Sequence, residues 1–79
     1  MMDVRAQVIE EIREAFALEG VTYEEEMLGK NVMQLGVDSL TYAVLVARLQ
    51  LKLDRDPFTE NPNLGYPDLL DDFVNAYVN

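Results

Sequence analysis

Near the N-terminus, apolar residues recur at helical spacing. Val4, Val8, Ile9, Ile12, Ala15 and Phe16 fall on one broad face, while Glu10, Glu11, Arg13 and Glu14 occupy the polar side. The spacing predicts a helix from about Val4 to Leu18. Asp3 stands where a short carboxylate can cap the first turn, and Gly20 follows as a stop signal.

From Val21 to Val37 that periodicity disappears, which predicts a long loop. Glu24, Glu25 and Glu26 form an acidic run of the kind that usually lies on a solvated face, and Met27, Leu28, Val32, Met33 and Leu35 supply apolar anchors. A loop of this length inside a small domain is expected to be pinned to the core or functional, and here both. A second helix is predicted from Ser39 to about Leu53. Leu40, Ala43, Val44, Leu45, Val46, Ala47, Leu49, Leu51 and Leu53 make it apolar on nearly all sides. Val44, Leu45 and Val46 together would suit a strand, but the length of the run and its leading Asp-Ser pair favour a helix. Such a helix is expected to be central, with neighbours on more than one side and some apolar surface left over for docking.

Asp54 to Gly65 reads as a loop with one short helical turn, punctuated by Pro57, Asn61, Pro62, Asn63 and Gly65, with Phe58 and Leu64 tucked inward. Pro67 suits the first turn of a last helix reaching Val78. Leu69, Leu70, Phe73, Val74, Tyr77 and Val78 form its apolar face, and Asp68, Asp71 and Asp72 lie in its first half. The expected fold is all-α, a small four-helix bundle of three main helices plus one short one, forming a single domain over residues 1–79. The long first connection would let neighbouring helices lie parallel. A bundle this small offers a groove between helices rather than a deep pocket.

Composition narrows the function. With 79 residues and 49% hydrophobic content, the chain has enough apolar material for one small core. It has no cysteine and no histidine, so thiolate metal sites, disulfides and Ser/His arrangements are excluded. A net charge of −9 argues against nucleic acid and anionic membranes as partners. No signal core or membrane-length apolar run occurs, so no membrane insertion and a cytoplasmic monomer are expected. Met1, Met2 and the ending at Val78 and Asn79 suggest a discrete protein rather than an excised domain. Acid pairs such as Asp71 with Asp72, or Asp54 with Asp56, are adjacent rather than opposed across a cleft, as general acid and base would need to be. No calcium loop or phosphate-cradling glycine run is present. The sequence therefore predicts neither a catalytic site nor a metal site.

One stretch remains, Leu35-Gly36-Val37-Asp38-Ser39-Leu40, at the entrance to the second helix. Either Asp38 or Ser39 can cap that helix, which is the plain reading of such a pair. The serine hydroxyl also sits at the positive end of the helix, where a phosphate ester would be favourably held.

LGVDSL, in a short acidic helical chain with the serine near its middle, resembles the acyl carrier protein family of free-standing type. The resemblance runs over essentially the whole chain. It implies a right-handed four-helix bundle whose Ser39 hydroxyl attacks the pyrophosphate of coenzyme A, catalysed by a phosphopantetheinyl transferase. The product carries 4'-phosphopantetheine through a phosphodiester, and its thiol holds acyl, polyketide or aminoacyl groups as thioesters. Asp38 would help position magnesium and coenzyme A in the transferase complex, and Leu40 would belong to the surface that partner enzymes grip. The implied partners are that transferase, an acyl- or aminoacyl-activating ligase, and downstream synthase or transferase enzymes.

The chain also departs from the family pattern. Fatty-acid synthase carriers stud the second helix with acids, whereas Thr41, Val44, Ala47, Arg48 and Lys52 stand on the corresponding face here. Acidic surface lies instead at Glu24 to Glu26 and in the last helix. This suggests a more apolar docking helix and dedicated partners in a specialised pathway. LGVDSL leans to the acyl rather than the peptidyl type, because peptidyl carriers usually show glycine or histidine near the aspartate. The alternative is an unmodified helical interaction module in which the Asp-Ser pair only caps a docking helix.

Overall fold

A computed structural model describes residues 3–60 and 67–78. The first helix, α1 (Val4–Leu18), begins where Asp3 Oδ1 accepts the Ala6 amide at 2.7 Å. It ends as the Glu19 and Val21 amides both donate to the Phe16 carbonyl at 2.9 Å. Gly20 turns the chain away with a φ of +76°, a conformation that glycine adopts without a Cβ penalty. Val8, Ile12, Ala15 and Phe16 are buried as the periodicity predicts, whereas Val4 at the frayed edge of the face is exposed.

Glu11 is the main correction on α1. It was expected on the polar side, yet it is only 6% exposed. The reason is α2 (Ser39–Leu53), which lies along that side and brings its own cations. Arg48 Nε stands 3.0 Å and Lys52 Nζ 3.2 Å from the Glu11 carboxylate, and Arg48 also reaches Glu14 at 3.1 Å. At the other end the Thr41 hydroxyl donates to the Glu19 carboxylate. Partners rise along α2 as they fall along α1, so the two helices are antiparallel despite the long loop between them. Arg48→Met is expected to cost about 2 kcal/mol. That is less than the ~3–5 kcal/mol for a buried charge left wholly unpaired, because Lys52 remains and these cations are partly hydrated. Urea unfolding of Arg48→Met, Glu11→Gln and the double variant checks this: the arginine variant should cost more than the glutamine one, and the pair less than their sum.

The helices that share a direction are α2 and α4 (Leu70–Val78), joined through the short α3 (Pro57–Glu60). Near their starts Tyr42 meets Phe73 edge to face at 5.0 Å, and near their ends Arg55 Nη1 donates to the Tyr77 carbonyl at 3.0 Å. Phe58 of α3 stacks on Phe73 at 5.6 Å and meets Tyr77 at 5.9 Å. With Leu45, Leu49, Leu70 and Val74, these rings close the core against α1. Leu64, also expected to tuck inward, lies outside the described residues.

The second helix is less enclosed than its composition suggests. Thr41, Leu45, Val46 and Leu49 are its buried residues, while Leu40, Ala43, Val44, Ala47 and Leu51 are exposed. It ends at Asp54, whose φ of 56° lies in the left-handed region that aspartate tolerates better than most residues.

Between α1 and α2 the chain makes two 3-10 turns, Glu25–Gly29 and Val32–Gln34. Val32 and Leu35 are buried on the inner side of the second turn. Met33, expected to be an anchor, projects outward with 83% of its surface exposed, because residues three apart share a face in a 3-10 turn. The loop is pinned elsewhere too. The Val32 amide donates to the Asp68 carbonyl at 2.7 Å, and the Leu70 amide to the Lys30 carbonyl at 3.2 Å, around an antiparallel bridge between Asn31 and Leu69. This pairing holds Pro67 to Leu69 outside a helix, so α4 starts at Leu70 and not at Pro67 as expected. The described residues contain helices and turns but no strand.

Candidate functional site

The LGVDSL stretch is built from three local devices. Leu35 and Val37 are buried anchors, and Gly36 between them takes a φ of +79°. That left-handed step lets the chain leave the 3-10 turn and enter an extended Asp38, with φ −93° and ψ 174°. Asp38 Oδ1 then accepts the Thr41 amide at 2.9 Å, and its carbonyl accepts the Tyr42 amide at 3.2 Å. Asp38 is therefore the N-cap of α2. Ser39 is the first helical residue, exposed to solvent. Leu40 follows with 69% of its surface exposed.

The Thr41 amide holds the Asp38 carboxyl below the usual aspartate range, with the Leu40 amide acting in the same direction. A folded pKa below the unfolded one means that the cap contributes stability above the ordinary aspartate range. That contribution is lost as pH falls through the depressed value. Asn still caps but does not titrate, so the melting-temperature difference between wild type and Asp38→Asn should hold steady at neutral pH and shift against the wild type in acid. Parallel thermal melts across that range test the assignment, and a pH-independent difference would contradict it.

The structure brings Asp38, Ser39 and Leu40 together on one exposed turn but redraws the surface beyond them. Thr41 is buried beneath Glu19, and Arg48 and Lys52 are engaged by α1, so these three do not form a free docking face with Val44 and Ala47. What remains is an uncharged strip of Leu40, Ala43, Val44 and Ala47. Beside it opens a groove of about 310 Å³, walled by Val32, Met33, Val37, Tyr42, Ala43 and Pro67, with Asn31, Asp38, Ser39 and Asp68 also lining it. Its lining is mostly apolar, and Ser39 stands among its residues.

No linear signal marks Asn31, Met33, Tyr42 or Pro67 as groove residues. They come from three segments that meet because the Asn31–Leu69 bridge draws the loop onto the start of α4. Asn31 is itself fixed as a cap, its Oδ1 accepting the Met33 amide at 2.9 Å. Ser39 makes no hydrogen bond to the described residues that would activate it, and the chain has no imidazole to act as a base. Chemically the arrangement offers an accessible hydroxyl at the positive end of a helix, flanked by a carboxylate and an apolar channel. Among the described residues, no group of three or more acids is arranged to hold a metal ion, and no helix is long and apolar enough to cross a membrane.

Comparison with protein-family models, with curated proteins and with solved structures gives no match to this chain.

Proposed function

We propose that the chain is a free-standing carrier protein, modified at Ser39 by 4'-phosphopantetheine. The observation that carries this reading is the exposed hydroxyl of Ser39, placed on the first turn of α2 immediately after a separate capping residue. Because Asp38 provides the cap, the Ser39 hydroxyl is not needed to satisfy the helix and is available to an enzyme. The groove adds a test of fit. A slender chain leaving Ser39 would meet the mostly apolar wall of Met33, Val37, Tyr42 and Ala43, with Asp38 and Asp68 as the charged residues of the lining, while the helix dipole favours a phosphodiester at its base. The residues present fit the group on both counts.

When attached, that group supplies a thiol, which this cysteine-free chain lacks, for carrying acyl, polyketide or aminoacyl intermediates as thioesters. The chain's own residues hold and present it. Ser39 provides the attachment oxygen, Asp38 fixes the turn and offers a carboxylate to the transferase complex, and Leu40 offers an apolar contact to partners. The arrangement of α1 against a same-sense pair of α2 and α4, with a short α3 between that pair, supports reading the fold as a bundle of the acyl-carrier type. The uncharged strip on α2 supports dedicated partners: a phosphopantetheinyl transferase, an activating ligase, and a downstream synthase or transferase of a specialised cytoplasmic pathway. The carrier itself has no enzymatic activity in this reading and works as a monomer.

Intact mass before and after incubation with coenzyme A, magnesium and a promiscuous phosphopantetheinyl transferase tests the proposal. One added phosphopantetheine, or its presence on the protein as isolated, is the expected result. A chain that is unmodified at the start and gains nothing while a control carrier is labelled would overturn it. The exposed Met33, Leu40, Val44 and Leu51 would then favour an unmodified helical interaction module.

A further inference from the structure

The last turn of α1 carries a leucine whose exposure does not match its place in the helix. Leu18 lies four residues on from Glu14 and seven on from Glu11, in the row of α1 that faces α2, yet 75% of its surface is exposed. Two contacts fix its surroundings. Arg48 meets Glu14 at 3.1 Å, and the Thr41 hydroxyl donates to the Glu19 carboxylate, so this turn of α1 lies against α2 between Thr41 and Arg48. The two helices are antiparallel. One turn forward on α1 and one turn back on α2 therefore lead from the Glu14–Arg48 pair to Leu18 and Val44. A further turn back on α2 reaches Leu40, because Leu40, Val44 and Arg48 form one ridge at intervals of four.

Leu18, Val44 and Leu40 thus make one exposed apolar patch across the seam between α1 and α2. At one end Arg48 is paired with Glu11 and Glu14, and at the other Glu19 and Asp38 both bond to Thr41. The position of the patch fixes what covers it. Ser39 directly precedes Leu40, and Val44 stands about 7.5 Å along the axis from Ser39. A stable protein–protein interface takes about 800 Å² from each partner, a footprint on the order of 30 Å across. An enzyme that closes over the Ser39 hydroxyl therefore covers this patch too. Leu51, about 18 Å along α2 from Ser39, falls outside a footprint centred on the serine.

Given modification at Ser39, on which this rests, we propose that the phosphopantetheinyl transferase seats an apolar pocket on Leu18, Leu40 and Val44, so that α1 as well as α2 forms its docking surface. Leu18 is then a positioning residue, far from Ser39 in the chain and remote from the reacting oxygen. The rim of that pocket would be basic on the side of Glu19 and Asp38, where the carboxylates have no cation of this chain bonded to them among the described residues.

Labelling kinetics of the full chain with coenzyme A, magnesium and a promiscuous phosphopantetheinyl transferase test it. Leu18→Ser is expected to raise the KM for the chain about fivefold or more, with kcat within about twofold of wild type. Leu18→Met keeps an apolar contact and should restore a KM near that of wild type. Leu51→Ser removes a comparably exposed leucine at the far end of α2 and should label as wild type does. Thermal melts of Leu18→Ser should match wild type, since little of the side chain is buried, and this separates docking from folding. A wild-type KM for Leu18→Ser, an equal rise in Leu51→Ser, or a rise that only tracks lost folded protein would overturn the proposal. In each of those cases wild type is still labelled, so the carrier reading stands. A wild-type chain that is never labelled while a control carrier is would overturn both.

Discussion

Ser39→Ala is expected to abolish all mass gain from coenzyme A and a phosphopantetheinyl transferase, while leaving the unfolding free energy within about 0.5 kcal/mol of wild type. Both halves follow from the division of labour at the start of α2. Asp38 accepts the Thr41 amide, so the hydroxyl of Ser39 contributes nothing to the cap. Alanine at the first helical position is at least as good a helix former as serine. The only property removed is the attachment oxygen, and an oxygen nucleophile has no substitute in a methyl group. Thermal unfolding and intact-mass measurement on the same sample separate the two effects. Labelling that persists in the variant would place the modification elsewhere, and a clear drop in stability would return the serine to a structural role. Asp38→Ala should give the opposite pattern, with a weaker helix start and slower but detectable labelling.

This division was only half legible in the sequence. The run from Ser39 to Leu53 sets both ends of α2, and Asp3 with Gly20 sets those of α1, because caps and stops act over a few neighbouring residues. Asp38 and Ser39 compete for one capping role, and only backbone geometry separates them. Longer-range features were less readable still. Glu11 looks like a surface residue by periodicity, yet Arg48 and Lys52, far along the chain, make its burial tolerable. The antiparallel course of α1 and α2 rests on the same cross-helix pairs. Met33 looks like an anchor by hydropathy but stands on the outer side of a 3-10 turn whose inward-facing residues are Val32 and Leu35. Pro67 fits a helix start locally, yet the backbone pairing of Asp68 and Leu70 with the loop delays α4. The groove beside Ser39 is written in none of these segments singly, since it exists only where that pairing brings them together.

Phe73→Ala is expected to destabilise the core by about 3–5 kcal/mol. Phe73 is wholly buried and touches three other rings: Tyr42 of α2 at 5.0 Å, Phe58 of α3 at 5.6 Å and Tyr77 of α4 at 5.3 Å. Phe73 thus joins three helices at once, so truncation opens a void that no single shift can fill. At about 0.05–0.15 kcal/mol per residue, a domain of this size has total stability of only about 4–12 kcal/mol, and the loss would consume much of it. Phe73→Leu, which keeps most of the volume, should cost far less, and urea unfolding of the two variants measures the difference. The consequence reaches Ser39, because Tyr42 is both a neighbour of Phe73 and a wall of the groove. Labelling of Phe73→Ala should fall in proportion to its folded fraction and recover in Phe73→Leu. If the alanine variant instead unfolds as wild type does, the ring cluster is not what holds α2, α3 and α4 together, and the pairing between the loop and the start of α4 must bear more of that role.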